Sequence, residues 1–184
     1  MNRGIALKIL KENLSNQNLI KHSLAVEAIM LALARRFGED EEKWGLAGLL
    51  HDIDYEKVKE DLSRHSLLGA EMLGEFGLGE DICCAVKVHN EAHGILPQTL
   101  MEKALFVTDP LTGLIVAATL VLPSKRIKDL TVESVLNRFK EKAFARGADR
   151  EIIQKCQEML GLGLEDFVKI SLEPMQGISE DIGL

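Results

Sequence analysis

The segment Leu49-Leu50-His51-Asp52-Ile53-Asp54 decides how this 184-residue chain is interpreted. A histidine followed directly by an aspartate cannot place both side chains on one face of a regular helix, so both approach a single ion only where a helix ends. Residues before the pair follow helical i, i+3, i+4, i+7 spacing: Trp44, Ala47, Gly48 and His51. We therefore expect His51 to close the buried stripe of a helix and Asp52 to turn inward from its exit.

The other histidines also fall within apolar stripes of helical spacing. The stripes are Leu19, His22, Val26, Ile29, Met30, Leu33 and Phe37; His65, Leu68, Gly69, Met72 and Phe76; and Ile82, Ala85, Val86, His89 and His93. A buried imidazole needs partners for its ring nitrogens, and any one of these alone is most simply a core histidine bonded to a backbone carbonyl. One metal, however, satisfies several buried imidazoles and carboxylates together. Taken together, the stripes indicate a metal site shared by these histidines. Asp109, further along the chain from the His51-Asp52 pair, is a candidate for an additional carboxylate ligand.

The order His…His-Asp…Asp resembles that of the HD-domain superfamily of metal-dependent phosphohydrolases, over roughly residues 18–122. The resemblance implies an all-α, HD-domain-like helical bundle. The metal ligands that it implies are His22, His51, Asp52 and Asp109. A subset with two metals has two more histidines between the pair and the last aspartate, and His65 and His89 occupy those places.

The chain is also similar to small stand-alone bacterial HD proteins, which are predicted hydrolases. The shared phrases are His51-Asp52-Ile53-Asp54-Tyr55-Glu56 and Asp109-Pro110-Leu111-Thr112-Gly113-Leu114-Ile115. Diadenosine-tetraphosphate hydrolases of the superfamily have a lysine-containing segment after the last aspartate, where this chain has Pro110. Cyclic-dinucleotide phosphodiesterases of the superfamily carry a His-His pair and a Gly-Tyr-Pro tripeptide, whereas this chain has His89-Asn90 and no such tripeptide. Neither of these substrates is indicated.

Length and a hydrophobic content of 46% predict one globular domain over residues 1–184. The motif-bearing core is predicted at about residues 18–122, with additional C-terminal helices over residues 123–184. Pro110 is expected to bend its helix or to open a new one, and Pro174 to kink or break the last segment. Helices are predicted near residues 3–14, 18–37, 40–51, 63–76, 79–92, 98–121, 131–146, 149–160 and 164–182.

Composition indicates which binding partners and which cellular compartment to expect. The formal net charge of −7 argues against a nucleic-acid polymer, because such binding draws much of its affinity from a basic face. The longest apolar stretch, residues 114–122, is far shorter than the roughly 20 residues that cross a bilayer, and no leader pattern precedes it. Three cysteines, two of them adjacent, favour a reducing compartment. We expect a cytoplasmic protein with no membrane partner, and either a homodimer or a monomer whose C-terminal stripes cover the core.

Imidazole and carboxylate ligands suit a divalent transition metal such as Fe, Mn, Zn, Ni or Co. With two ions, Asp52 is expected to bridge them. A water between the ions would then lose a proton and attack phosphorus, and Asp52 counts as catalytic because it holds the ions on either side of that water. With one ion, His65 and His89 contact phosphate or donate a proton. His93, one turn beyond His89, and Lys103, about a turn and a half before Asp109, are the predicted substrate-binding residues.

The remaining charged groups near the motif are interpreted as solvated surface. Asp54 and Glu56 are expected to be loop acids, and Lys125-Arg126-Lys128 to be charged surface. The resemblance favours a phosphohydrolase acting on a nucleotide or another small phosphate ester. Two alternatives stay open: a metal-containing nucleotide-binding module without turnover, and a di-iron oxygenase, because an HD-like ligand set also supports oxygen chemistry.

Overall fold

The computed structural model describes residues 1–184 as helices and turns, with no strand. The helices are α1 (Arg3–Asn13), α2 (Gln17–Phe37), α3 (Glu41–Leu50), α4 (Leu67–Glu75), α5 (Glu80–Val88), α6 (Leu100–Leu120), α7 (Val132–Lys140), α8 (Arg150–Gln154), α9 (Cys156–Leu160), α10 (Leu164–Gly177) and α11 (Ser179–Ile182). Three short 3-10 turns lie at Leu62–Arg64, Glu91–His93 and Ile127–Asp129. The all-α prediction is confirmed.

Local signals in the sequence set the ends of the helices that build the core. Asp40 caps α3 by accepting a hydrogen bond from the backbone N–H of Lys43, and Gly38 ends α2 in the left-handed conformation at φ 73°. Thr99 and Glu102 form a reciprocal capping box at the start of α6. These caps hold α2, α3 and α6 in place, and those helices carry much of the site.

Helix α6 is the central core helix of the fold. It has 21 residues and is apolar enough to cross a membrane by length and composition alone, but 61% of its most apolar window is buried inside the protein. The helix continues through Pro110, so this proline does not open a new helix. Because proline has no N–H, the carbonyl of Phe106 lacks its usual partner four residues later.

Two stripes that were predicted as continuous helix are interrupted beside their histidines. Helix α4 begins only at Leu67, so His65 lies before it, and Phe76 lies past its end with 40% of its surface exposed. The cause of the late start is Ser66, which adopts a positive φ of 70° that a helix does not permit. Likewise α5 ends at Val88, and His93 lies in a separate 3-10 turn.

The C-terminal predictions also need correction. Helix α7 ends at Lys140 instead of continuing to residue 146, and the predicted helix over residues 149–160 is divided at Lys155. Pro174 does not break α10, which continues to Gly177. Proline lies here close enough to the end of the helix for few hydrogen bonds to be lost.

The crossing of α2 and α3 depends on Gly48. A Cβ atom at this position would lie 3.0 Å from the backbone N and Cα of Glu27 and from Cγ of Met30. We expect Gly48→Ala to lower the free energy of unfolding by about 1–3 kcal/mol, because the backbone of a packed helix cannot move aside. Gly74→Ala in α4, where a Cβ meets nothing within 4 Å, should instead raise it by about 0.5–1 kcal/mol. Urea unfolding followed by circular dichroism compares the two, and equal stabilities would contradict the close approach.

Candidate metal centre

The six residues predicted as ligands come from distant parts of the chain and meet at one place. Two are on helices: His22 near the start of α2 and Asp109 in the middle of α6. The others lie at helix ends or between helices: His51 and His89 at the ends of α3 and α5, Asp52 directly after α3, and His65 before α4. Helix α3 thus ends at the His-Asp pair, as the sequence predicts.

The first group of donor atoms surrounds Nε2 of His22. This nitrogen lies 3.2 Å from Nε2 of His51 and 2.9 Å from Oδ1 of Asp109. Oδ2 of Asp52 lies 3.4 Å from Nε2 of His51 and 3.7 Å from Nε2 of His22. Two imidazoles and two carboxylates therefore direct one ligand atom each toward a common point.

The second group uses the other oxygen of the same aspartate. Oδ1 of Asp52 lies 3.3 Å from Nε2 of His65 and 3.5 Å from Nε2 of His89. Asp52 therefore stands between the two groups with one oxygen toward each. This is the arrangement that a carboxylate bridging two ions requires.

Hydrogen bonds at the outer ring nitrogens identify the tautomers of His51 and His89. Nδ1 of His51 lies 2.8 Å from the carbonyl oxygen of Gly48, and Nδ1 of His89 lies 2.6 Å from that of Val86. A carbonyl only accepts, so each Nδ1 carries the proton. In the neutral ring, Nε2 then has a free lone pair directed into the site.

The same reasoning applies to the other two histidines. Nδ1 of His65 donates to Oδ1 of Asp54 at 3.0 Å. Thr112 donates its hydroxyl proton to the carbonyl oxygen of Asp109 at 2.7 Å, so its oxygen accepts from Nδ1 of His22 at 3.0 Å. All four rings therefore present Nε2 inward, with the outer nitrogen held.

This donor set fits a divalent transition metal. Two triads, His22–His51–Asp109 and His51–Asp52–His89, each have all their ligand atoms within 4.8 Å of one another. With Nδ1 protonated, the rings direct Nε2 toward two carboxylates, and one cation shared among these atoms satisfies nitrogens and oxygens together. Nitrogen and oxygen ligands without thiolate are compatible with Fe, Mn, Zn, Ni or Co and do not select one of them.

The carboxylates of the site create a negative environment that favours a bound cation. Burial opposes protonation of His51, but the charge of Asp52 and the hydrogen bond and charge of Asp109 outweigh it and raise the pKa of His51 to about 9. Burial likewise opposes charge on Asp52, yet His51, His65 and His89 hold the pKa of that carboxyl well below its usual range. Burial opposes charge on Asp109 as well, but His22 and His51 hold the pKa of that carboxyl well below its usual range, so both carboxylates are ionised at neutral pH and available to a metal.

A cleft of about 320 Å³ leads to this centre. His22, His65, His89 and Asp109 line it, and the side chain of Asp109 is 32% exposed. Phe106 and Pro110 of α6 form part of the wall. The C-terminal extension contributes another part of the lining, through Gly147, Asp149 and Ile152.

The loop between α7 and α8, residues 141–149, is held against the cleft by Arg150. The Nη1 atom of this guanidinium donates to the carbonyl oxygens of Ala145 and Ala148, each at 2.6 Å, and Nη2 donates to that of Phe144. The loop is therefore a defined part of the wall.

The two residues predicted to bind substrate do not line this cleft. Nε2 of His93 donates to the backbone oxygen of His65 at 2.6 Å, and Lys103 is half-buried on α6. No lysine or arginine is among the lining residues, whereas Glu91, Asp109 and Asp149 are. Substrate contact by His93 and Lys103 stays a prediction.

The interpretation of Asp54 and Glu56 as solvated loop acids is wrong. Asp54 is 0% exposed and bonds to His65, and the carboxylate of Glu56 accepts hydrogen bonds from the backbone N–H groups of Ser15 and Asn16. Those backbone bonds lower the pKa of Glu56. Periodicity carries no signal for such contacts, because the partners are distant in sequence. Thr112 was missed as well, although its place three residues after Asp109 on one helix face was a usable signal.

The number of metal ions bound per protein shows whether the second group of donor atoms holds an ion of its own. We expect His65→Ala and His89→Ala each to halve the metal content of the protein, because these side chains serve only the second group. Elemental analysis of protein purified without chelator measures the stoichiometry. Unchanged stoichiometry in both variants would instead indicate a single ion at the first group, with these histidines free to contact substrate.

Comparison with known proteins gives a consistent result. The family model described as "HD domain" matches residues 19–114, a range that contains all six predicted ligands. The chain is 33% identical to Ribonuclease Y of Lawsonia intracellularis over 139 residues, which cover 74% of this chain and 26% of that protein. It is 34% identical to Ribonuclease Y of Nitratidesulfovibrio vulgaris strain DP4 over 142 residues, covering 74% and 27%. The chain spans about a quarter of the length of these curated relatives. It belongs to the HD domain family.

Proposed function

We propose that this protein is a metal-dependent phosphohydrolase that cleaves a small phosphate ester. The observation that carries the proposal is the position of Asp52, with one oxygen toward His22 and His51 and the other toward His65 and His89. HD domains are typically metal-dependent phosphohydrolases, which supports this chemistry. A divalent ion held by these residues supplies Lewis acidity and a water of lowered pKa.

The protein residues have distinct parts in such a reaction. Asp52 contributes one oxygen to each of the two groups of donor atoms and so fixes the groups relative to each other. The hydrogen bonds at Nδ1 of the four histidines keep Nε2 of each ring directed into the site. His22 and Asp109 are the most exposed of the six donors and line the cleft, so a phosphate bound in the cleft lies beside them. In the metal-free protein burial opposes charge on His65, but its hydrogen bonds to Asp52 and Asp54 outweigh it and raise the pKa of His65 to about 10. If only the first group holds an ion, His65 is not a ligand and is free to donate a proton to the leaving oxygen.

The walls of the cleft favour a substrate of low charge. Glu91 and Asp149 add negative charge, and no lysine or arginine of the lining offsets it. A phosphate with one or two charges is neutralised by the ions alone, whereas a polyphosphate places further charges against the acidic wall. This supports a monophosphate ester or a short phosphodiester as the substrate.

RNA is the second candidate, and it is supported by the name of the relatives, Ribonuclease Y. Against RNA as a polymer stand the net charge of −7 and the acidic cleft. Both candidates involve the same bond, a phosphate ester, and differ in what surrounds it.

A substrate panel tests the proposal. Protein loaded with Mn²⁺ or Fe²⁺ is given p-nitrophenyl phosphate, bis-p-nitrophenyl phosphate, a nucleoside mono-, di- and triphosphate series and a short oligoribonucleotide. We expect turnover of a small ester, with rates falling as the number of phosphates rises, and none in Asp52→Ala. Cleavage of the oligoribonucleotide alone would favour RNA. Oxygen consumption without phosphate release would favour an oxygenase, and tight nucleotide binding without turnover a regulatory module.

A further inference from the structure

We propose that Asp54 is a positioning residue for the second ion of this centre, acting through His65. Its side chain is 0% exposed and lies two residues after the pair that supplies the main ligands. It touches none of the other ligands through a hydrogen bond. The inference concerns the metal site on which the proposed function rests, but its test measures metal binding and is independent of any substrate.

The carboxylate of Asp54 joins the ring of His65 to the first turn of the next helix. Oδ1 accepts from Nδ1 of His65 at 3.0 Å. Oδ2 accepts from the backbone N–H of Ser66 at 2.8 Å and of Gly69 at 2.9 Å. A carboxylate at the N-terminus of α4 also interacts favourably with the helix dipole.

His65 needs such support because its own backbone does not provide it. His51 and His89 end helices and bond to carbonyls of those same helices, three residues earlier. His65 lies between a 3-10 turn and α4, next to Ser66 with its positive φ of 70°. Its ring is held on the outer side by a side chain from another segment, and that side chain is Asp54.

Gly69 supplies an independent way to disturb the same carboxylate. A Cβ atom at this position would lie 3.2 Å from Cγ and 3.3 and 3.4 Å from the two oxygens of Asp54. Alanine there must push the carboxylate away from the N–H groups that hold it. Such close approach explains why glycine stands in this turn of α4.

The chemical role of Asp54 is to decide which ring nitrogen of His65 carries the proton. An ionised carboxylate accepts only, so Nδ1 keeps its proton and Nε2 stays available to an ion. An amide in place of the carboxylate presents either an oxygen or an N–H₂ group, and its N–H₂ cannot face the donors of Ser66 and Gly69. Asp54→Asn therefore weakens the preference for the productive tautomer without changing the size of the side chain.

The test is a titration of metal-free protein with Co²⁺, followed by visible absorption and by elemental analysis after gel filtration. We expect Asp54→Asn to bind the first ion as the parent does and to lose affinity for the second by about 10–100-fold, the usual effect of removing a partner of a ligand. Gly69→Ala should weaken the same ion. Glu56→Gln is the matched control, because that carboxylate bonds to the turn before α2 and to no ligand, and it should keep both ions.

A double variant separates positioning from general loss of structure. If Asp54 acts through His65, Asp54→Asn combined with His65→Ala should bind metal no worse than His65→Ala alone. Circular dichroism verifies that each variant is folded, and Gly69→Ala replaces Asp54→Asn if the latter does not fold. Parental affinity for two ions in the disturbed variant, additive losses in the double variant, or a parent protein that binds one ion only would each overturn the proposal.

Discussion

Asp52→Ala is expected to release all bound metal and to abolish activity, while the protein stays folded. The two oxygens of this carboxylate face the two groups of donors, so no ion keeps a complete set of ligands without it. Because changes outside the ligand shell already cost about 10–100-fold in metal affinity, the loss here should exceed about 100-fold at both groups. Elemental analysis after gel filtration, together with phosphate release from the best substrate, measures both effects.

His51→Ala is the companion variant and should behave in the same way. Its Nε2 lies 3.2 Å from that of His22, and the residue is buried. Glu60→Ala is the matched control, an exposed acid eight residues beyond Asp52 with no part in the site. Full metal content in both Asp52→Ala and His51→Ala would show that the centre is wrongly assigned.

The second large effect is expected for Asp109→Asn. Oδ1 of Asp109 lies 2.9 Å from Nε2 of His22 and 3.7 Å from Nε2 of His51, so it completes the first group. Asparagine keeps the shape and one carbonyl oxygen but removes a negative charge that the ion needs. We expect metal affinity at the first group to fall by about 10–100-fold or more. A Co²⁺ titration gives the value, and affinity equal to that of the parent would mean that this carboxylate is not a ligand.

Pro110→Ala separates the charge of Asp109 from the shape of its helix. The substitution restores the N–H that α6 lacks at this point and leaves every ligand in place. A smaller loss than in Asp109→Asn is therefore expected in the same titration. A loss as large would indicate that the local shape of α6 matters as much as the charge.

The sequence predicts the parts of the site that depend on regular helices. His22 occurs on an apolar stripe of a long helix, and His51 directly follows the last residue of another, so helical spacing alone places both toward the core. Asp52 follows from the end of that helix, because the His-Asp pair converges only where a helix ends. Asp109 as a ligand follows from the resemblance to the HD superfamily and not from periodicity. Helical spacing is a local signal in the sequence, and the resemblance is a signal shared among related proteins.

What the sequence does not predict is carried by turns and by distant contacts. Asp54 bonds to residues 11 to 15 positions later, across a 3-10 turn that no periodicity marks. The positive φ of Ser66 places His65 outside the helix to which its stripe assigns it. The packing of residues 147–152 near α6 joins two regions about 40 residues apart, and apolar stripes do not specify such partners.

The residues that line the cleft come from two different parts of the chain. The six predicted ligands all lie within residues 19–114, the range that matches the HD family, whereas Gly147, Asp149 and Ile152, which also line the cleft, lie outside it. The predicted metal ligands thus come from the HD-family range, whereas part of the cleft wall comes from residues beyond it. Substitutions confined to the loop between α7 and α8 would therefore reshape the cleft while leaving every predicted metal ligand unchanged.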